Sequence, residues 1–362
     1  MTLETKFEWR SSCGQDYLYA QGQTRRDLGR AIGLGLHRQI SAARRFYQAA
    51  LAQQAPDPQT AASIRRMVDG YFTLIPSEDL EELQGMLEGY CNASGEEMDL
   101  AELALQSFGI DLRHQVDSRA PVASSLEGCT NFGCVNPDGS TVHGQNYDSD
   151  PRLTAADAFV HHRTAGEPEA FLYRPGACLG MALGKNEAGI CMTVSVIHSS
   201  FPAPIMTPRS VLVRRAMRQS TSLAAIRSMT DEQGCSPFCY NLIVSDDTTI
   251  TGAQATPAEQ RICQIKRTLV QSNQYDYVDW LRYLKRPSYS KKRQLYAEAL
   301  LEALLARHGR INNEDLLEIL RDEPVICRKK VGDGIGTTVL FFTRESFGRG
   351  NPADRPAGRL PI

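Results

Sequence analysis

The sequence predicts an α+β protein, on three observations. Up to about residue 128 apolar residues recur at the three-to-four spacing of amphipathic helices. From 129 the pattern changes to short runs of β-formers separated by Gly, Pro or Asn-Glu turns, and after 207 helical and extended stretches alternate. A chain of 362 residues is long enough for one large domain with an extension or for two ordinary domains. The change of pattern divides it into a helical segment, 1–128, and a strand-rich segment, 129–362.

In chain order, the stretch from Thr24 to about Gln53 places Leu28, Ile32, Leu36, Ile40 and Phe46 on one helical face, and Pro56 and Pro58 close it. A second helix is expected after Met67. A third begins at Pro76-Ser77-Glu78-Asp79, where Ser77 can cap and the acids complement the positive helix end, and a fourth covers about Glu96 to Ser107. The polar stretch 111–125 reads as a linker. Strands are expected at 132–135, 140–147, 157–163, 169–173, 179–184 and 189–197, the first two joined by a Pro-Asp-Gly turn at 137–139. Thr207-Pro208 opens a helix and Thr221 or Ser222 another. Strands follow at 239–245, 248–254, 261–265 and 267–272, then a long helix from Tyr289 to Arg307 ended by Gly309, and one capped by Asn312 or Asn313. Last come strands near 325–329 and 336–343 and an irregular Gly/Pro/Arg-rich tail from Phe347.

Composition excludes several function classes. Charged residues make up 23% of the chain and the net charge is −2, so nothing in the bulk electrostatics favours nucleic acid or an anionic membrane as partner. The N-terminus has no apolar signal core, and no apolar run reaches the ~18 residues a spanning helix needs, so a cytoplasmic protein is expected. Ten cysteines are scattered without the spacing of a disulfide framework. Cys235 and Cys239 form a close pair, but no second Cys or His pair with zinc spacing accompanies them, so no metal is expected. Nor does a Gly-rich phosphate loop point to a cofactor.

The chemistry is concentrated at Gly128-Cys129-Thr130. A thiol set against the carbonyl of the preceding residue can attack it, and Gly128 has no Cβ to obstruct the strained turn this attack requires. Hydrolysis of the resulting thioester would free an α-amine on Cys129. An α-amine titrates near 7.7–8.0 and a free thiol near 8.5, so one residue could then supply both nucleophile and base at neutral pH. The bland alternative is one more small buried cysteine. His198, at a strand end, suggests a Cys–His dyad, but a self-supplied amine needs no histidine.

Gly128-Cys129-Thr130, followed by Gly144-Gln145-Asn146-Tyr147-Asp148, resembles the start of the catalytic chain in N-terminal nucleophile hydrolases, and within them the isopenicillin N acyltransferase family. The helical segments around Gly22 to Gly29 and Glu81 to Tyr90 are similar to that family's prosegment. The resemblance implies a four-layer αββα sandwich, self-cleavage between Gly128 and Cys129, a small helical subunit (1–128) that stays associated with a catalytic one (129–362), and Cys129 as nucleophile. Asp148 then either holds the Cys129 amine or orders a basic residue, against the simpler role of ending a strand in a turn. Asn273, in Gln271-Ser272-Asn273-Gln274, would donate its side-chain amide to an oxyanion. Relatives carry a serine followed by arginine near Ser290; here Lys291 follows and the nearest arginine is Arg293, so the basic group is Lys291 or Arg293. Gln145 stands where the amidases carry arginine and Ser195 where relatives carry asparagine; with Asn146 and Ser290 these complete the expected substrate-binding set. The implied partners are a small-molecule acyl donor, an acyl thioester being one candidate, and an amine acceptor. The other readings are a plain amidase or peptidase that uses water and an inactive binding protein on the same fold.

Overall fold

The computed structural model describes residues 3–54, 58–117, 128–201, 205–230, 235, 239–265, 267–284, 287–323, 325–327, 338–354 and 356–362. The chain opens with a hairpin of β1 (Lys6–Ser12) and β2 (Gln15–Gly22). Five helices follow: α1 (Arg25–Gly35), α2 (His37–Gln54), α3 (Pro58–Phe72), α4 (Ser77–Ser94) and α5 (Leu100–Asp117). Then come β3 (Gly128–Val135), β4 (Thr141–Ser149), β5 (Phe159–Thr164), β6 (Ala170–Tyr173), β7 (Leu183–Asn186) and β8 (Cys191–Ile197). Two short helices, α6 (Arg209–Ala216) and α7 (Ser222–Arg227), precede β9 (Cys239–Ser245), β10 (Ile250–Ala255), β11 (Gln260–Ile265) and β12 (Thr268–Gln271). The last part contains α8 (Val278–Leu281), α9 (Pro287–His308), α10 (Asn313–Arg321), β13 (Thr338–Thr343), β14 (Ser346–Arg349) and β15 (Gly358–Arg359).

The strands form two sheets. Nine run in the order β1-β2-β5-β6-β7-β8-β9-β10-β11 and six in the order β12-β3-β4-β13-β14-β15. Apolar residues of both sheets, among them Tyr147, Phe171, Leu183 and Phe342, meet in one cluster between them. On the outer face of the nine-stranded sheet, α1, α4 and α5 cover Leu18 and Val160, and α6 and α7 cover Leu172, Val194 and Leu242. On the outer face of the six-stranded sheet, α9 and α10 cover Phe132, Val270 and Phe341. The order is helix, sheet, sheet, helix, the expected αββα sandwich.

Several elements differ from the sequence reading. Residues 6–22 are a β-hairpin, and β2 joins β5 in parallel, Leu18 opposite Val160. The first predicted helix is two, α1 ending at Gly35 and α2 beginning at His37. Helix α3 begins at Pro58, well before Met67, and Ser77 is the first residue of α4 rather than its cap. Helix α5 runs on to Asp117, taking in the first part of the expected linker, whose remainder, 118–125, lies outside the described residues. The tail contains β14 and β15. The capping of α10 by Asn312, with reciprocal Asn312–Asp315 hydrogen bonds, and the positive φ of 73° at Gly309 are as expected.

Candidate active site

The turn between β3 and β4 sets the register that builds the site. Gly139 takes φ 84°, and the backbone N–H of Ser140 donates to Asp138 Oδ1 at 2.9 Å, fixing the hairpin at the expected Pro-Asp-Gly. Counting outward, Cys129 falls opposite Tyr147 and Gly128 opposite Asp148. Strand β12 flanks β3 on the other side with Gln271 opposite Asn131, so Asn273, two residues on, comes level with Cys129.

Asn273 and Cys129 touch. The backbone N–H of Cys129 donates to Asn273 Oδ1 at 2.7 Å, and Asn273 Nδ2 donates to the carbonyl of Val196 at 2.7 Å. Arg293, only 2% exposed, donates from Nη2 to the carbonyl of Cys129 at 3.0 Å and to the same Asn273 Oδ1. Two donors on one side and a carbonyl acceptor on the other fix which way the Asn273 amide points. One amide thus holds the Cys129 nitrogen and ties it to β8. The expected oxyanion donation is not the bond found here: one N–H of Nδ2 serves Val196, and the oxygen, not the nitrogen, faces Cys129.

Of Lys291 and Arg293, the phase of α9 brings Arg293 to Cys129. Arg293 lies on the face that continues through Ala297 and Leu301 into the core, whereas the Lys291 side chain is 50% exposed and stands 3.9 Å from Asp276. Ser290 enters only through its backbone carbonyl, which accepts from Ser272 Oγ at 2.8 Å. Asp148 is buried at the start of the hairpin, next to Tyr147.

The expected substrate-binding residues divide. Gln145 is wholly buried with both ends of its amide on β8, Nε2 donating to the Val194 carbonyl and Oε1 accepting from the Val194 N–H at 3.1 Å, so it staples the two sheets together. Asn146 points to the other face of its sheet, where Nδ2 donates to the Leu320 carbonyl at 2.8 Å, beneath α10. Neither is directed at Cys129. Ser195, between the Val194 that holds Gln145 and the Val196 that holds Asn273, is buried beside the site. A cavity of about 380 Å³ among α2, α3 and α5, lined by Tyr47, Val68 and Leu105, contains none of these residues.

Several other cysteines lie in surroundings that suppress a thiolate. Burial raises Cys134, Cys191 and Cys239 to about 11. His143 is equally unsuited to act as a base: burial, with Arg344 adding to it, drives it down to about 3, and its ring bonds Thr193 and Ser245. Among the described residues no cluster of His, Cys, Asp or Glu could hold a metal ion, and no helix is long and apolar enough to cross a membrane.

Residues 134–346, more than half of the chain, match the profile of the acyl-coenzyme A:6-aminopenicillanic acid acyl-transferase family. The chain belongs to that family. The matched region includes Asp148, Asn273 and Arg293 and begins just downstream of Cys129. Among solved structures, a Caenorhabditis elegans N-acylethanolamine-hydrolyzing acid amidase ortholog is 18% identical, covering 64% of this chain and all of its own, at a TM-score of 0.47. A mutant of conjugated bile acid hydrolase from Clostridium perfringens is 9% identical, covering 65% of this chain and 97% of its own, at 0.42. No curated protein matches the sequence. Family membership supports amide-bond acyl transfer or hydrolysis in general, and the candidate site is the Cys129 corner at which three separated segments converge.

Proposed function

We propose that the protein is a self-processed cysteine enzyme that forms or cleaves an amide bond through an acyl-Cys129 intermediate. The observation that carries the reading is the grip of Asn273 Oδ1 on the Cys129 N–H. Before cleavage this nitrogen is an amide. After Cys129 Sγ attacks the Gly128 carbonyl and water hydrolyses the thioester, the same nitrogen is the α-amine, already held beside its own thiol. The amine takes the thiol proton as sulfur attacks the acyl donor and returns it to the leaving group. Arg293 places a fixed positive charge on the Cys129 carbonyl and so favours anionic sulfur or oxygen nearby. The second N–H of Asn273 Nδ2 is the donor left for the tetrahedral oxyanion. Small acyl donors, with an amine or water as acceptor, are the substrates of this reading.

The test needs no known substrate. On a denaturing gel the wild type should separate into two pieces, the larger with Cys129 at its N-terminus, and Cys129→Ala should remain one band. Iodoacetamide should label Cys129 of processed protein much faster than the exposed Cys13, which serves as an internal ordinary thiol. Equal labelling of the two would remove the nucleophile assignment.

A further inference from the structure

One level below Cys129 the space between the sheets is lined by neutral polar side chains where a sandwich interior is normally apolar. On the six-stranded sheet Gln145, Asn131 and Gln271 lie side by side, Asn131 paired with each of the others. On the facing sheet Ser195, Asn241 and Gln254 do the same, Asn241 being the central one. Both rows face inward. Asn131 shares its face with Cys129 and with Gly133, whose added Cβ would lie 3.1 Å from Ile250 of the opposite sheet. Ser195 shares its face with Thr193, which bonds His143 across the gap. Exposure of the six runs from 0 to 3%.

Half of this layer is satisfied by backbone. Gln145 bonds Val194, Gln254 bonds the Asp276 N–H, and Asn241 Nδ2 donates to the carbonyls of Ser272 and Gln274 on either side of Asn273. The rest is not: among the described residues Asn131 Oδ1 and Nδ2, Ser195 Oγ, Asn241 Oδ1 and Gln271 Oε1 have no hydrogen-bond partner. Buried groups of this kind are matched by something polar in nearly every folded protein. The orientation of Asn241 is fixed by its two carbonyl partners, which leaves its oxygen as the unpartnered end. Three amide oxygens of the two facing rows, on Asn131, Asn241 and Gln271, are thus left without donors, an excess of acceptors over donors. Such a set suits a neutral group rich in N–H, and Asn131 lies only two strand residues, roughly 6–7 Å, from Cys129.

We infer that Asn131, Ser195, Asn241 and Gln271 form the amine subsite of Cys129, which holds the N–H groups of the amine that leaves on acylation or enters on transfer. The assignment rests on the acyl-Cys129 reading above and deepens it. In the transfer step the amine nitrogen attacks the thioester carbonyl, the C–S bond breaks, and the proton lost by nitrogen passes through the Cys129 α-amine to the thiolate. One amide and one free thiol result. By microscopic reversibility the same subsite receives the leaving amine when an amide is the donor.

The experiment is the partition of one acyl-enzyme between two acceptors. Processed wild type is acylated with p-nitrophenyl acetate in the presence of rising propylamine, and N-propylacetamide and acetate are quantified by mass spectrometry. The ratio of amide to acid should saturate with amine concentration, as a binding site requires. In Asn131→Leu, and independently in Ser195→Ala, the amine concentration at half-saturation should rise about tenfold, the worth of one lost hydrogen bond. Both products come from the same acyl-enzyme, so partial loss of folded protein cancels in the ratio; if Asn131→Leu does not fold, the smaller Ser195→Ala carries the measurement. A ratio that rises linearly without saturation, acetate alone, or half-saturation unchanged in the folded variants would overturn the subsite and leave a layer filled by ordered water only. Failure of the acyl-Cys129 reading looks different: no nitrophenol burst from wild type, or a burst that persists in Cys129→Ala, removes both assignments together.

Discussion

At the scale of single residues, the site could be read only in part from sequence, for a physical reason. Gly128, Cys129 and Asp148 are local to one hairpin whose turn residues set its register, so their proximity follows from spacing alone. Asn273 is 144 residues from Cys129, and only the folded arrangement shows that its oxygen, rather than its nitrogen, meets the Cys129 N–H. Arg293 was legible in principle: with Ala297 and Leu301 it makes a four-residue stripe that places it, unlike Lys291, on the buried face of α9. Asn131, Asn241 and Gln271 carry no such signal, because a polar residue in a strand reads as solvent-facing until a second sheet covers it. If Asn273 serves both amine and oxyanion, Asn273→Ala should lower turnover by a factor of about 10² to 10³ while the protein stays folded, and steady-state kinetics on any accepted donor checks it. His143 gives a second residue-level prediction. Its folded value of about 3 lies below the ordinary 6.5, so the unfolded chain binds the extra proton between those values. The stability His143 contributes is therefore complete above pH 6.5 and lost as pH falls toward 3. Chemical denaturation of wild type and His143→Gln should show a stability gap that narrows across that window. The buried carboxyls Asp79 and Asp111, both raised to about 6 by burial, titrate in both proteins and cancel in the difference. A gap independent of pH would mean that His143 is not held neutral.

At the scale of elements, α1 and α4 show what the glycines of the helical segment do. Gly29 and Gly33 on α1 and Gly85 and Gly89 on α4 sit one turn apart on facing surfaces. A Cβ on Gly29 would stand 2.0 Å from the Glu82 carbonyl oxygen, and one on Gly85 would stand 2.0 Å from that of Arg26. The two backbones are therefore in direct contact, and helix propensity and packing oppose each other at these positions. Replacing an exposed helical glycine by alanine stabilises by about 1 kcal/mol. Here the methyl group meets rigid backbone, and overpacking of this kind costs about 1–3 kcal/mol or more. Packing should win, so Gly85→Ala should lower the thermal midpoint; a rise would show that the helices separate freely. The hairpin β1–β2 was the element least legible in sequence. Most of β1 is exposed at a sheet edge and shows no clean alternation, and β2 pairs in parallel with β5 across more than a hundred residues. No local pattern reports a partner that distant.

At the scale of the whole molecule, the proposed cut between Gly128 and Cys129 raises the question of whether residues 1–128 would then leave. The two sides are joined by backbone, since β2 lies in the nine-stranded sheet beside β5. The C-terminal tail also clasps the hairpin, Gln15 Nε2 donating to the Pro356 carbonyl at 3.1 Å and the Arg359 N–H to Ser12 Oγ at 2.9 Å. They are joined as well by a buried ion network centred on Glu82 of α4, which is completely buried. Glu82 bonds Arg25 of α1, and across the division it meets Arg174 at 2.8 Å and Arg214 at 3.1 Å. Glu167, from the catalytic side, bonds Arg25 in return at 2.7 Å. These arginines hold Glu82 well below the usual carboxylate range despite the opposing effect of burial, so it stays charged. The network lies inside the protein, where salt screens little. After processing, the two pieces should elute as one species in size-exclusion chromatography and should continue to do so in molar salt. Glu82→Ala would leave Arg174 buried without its counter-charge and Arg214 with only Glu167 at 3.8 Å, a loss of about 3–5 kcal/mol for a broken buried pair. That variant should either fail to process or release the small piece on dilution, and denaturing gels of the eluted fractions distinguish the two. Release of residues 1–128 from the wild type in plain buffer would show that strand, clasp and network together do not hold the cut chain, and that the helical segment is a removable propeptide.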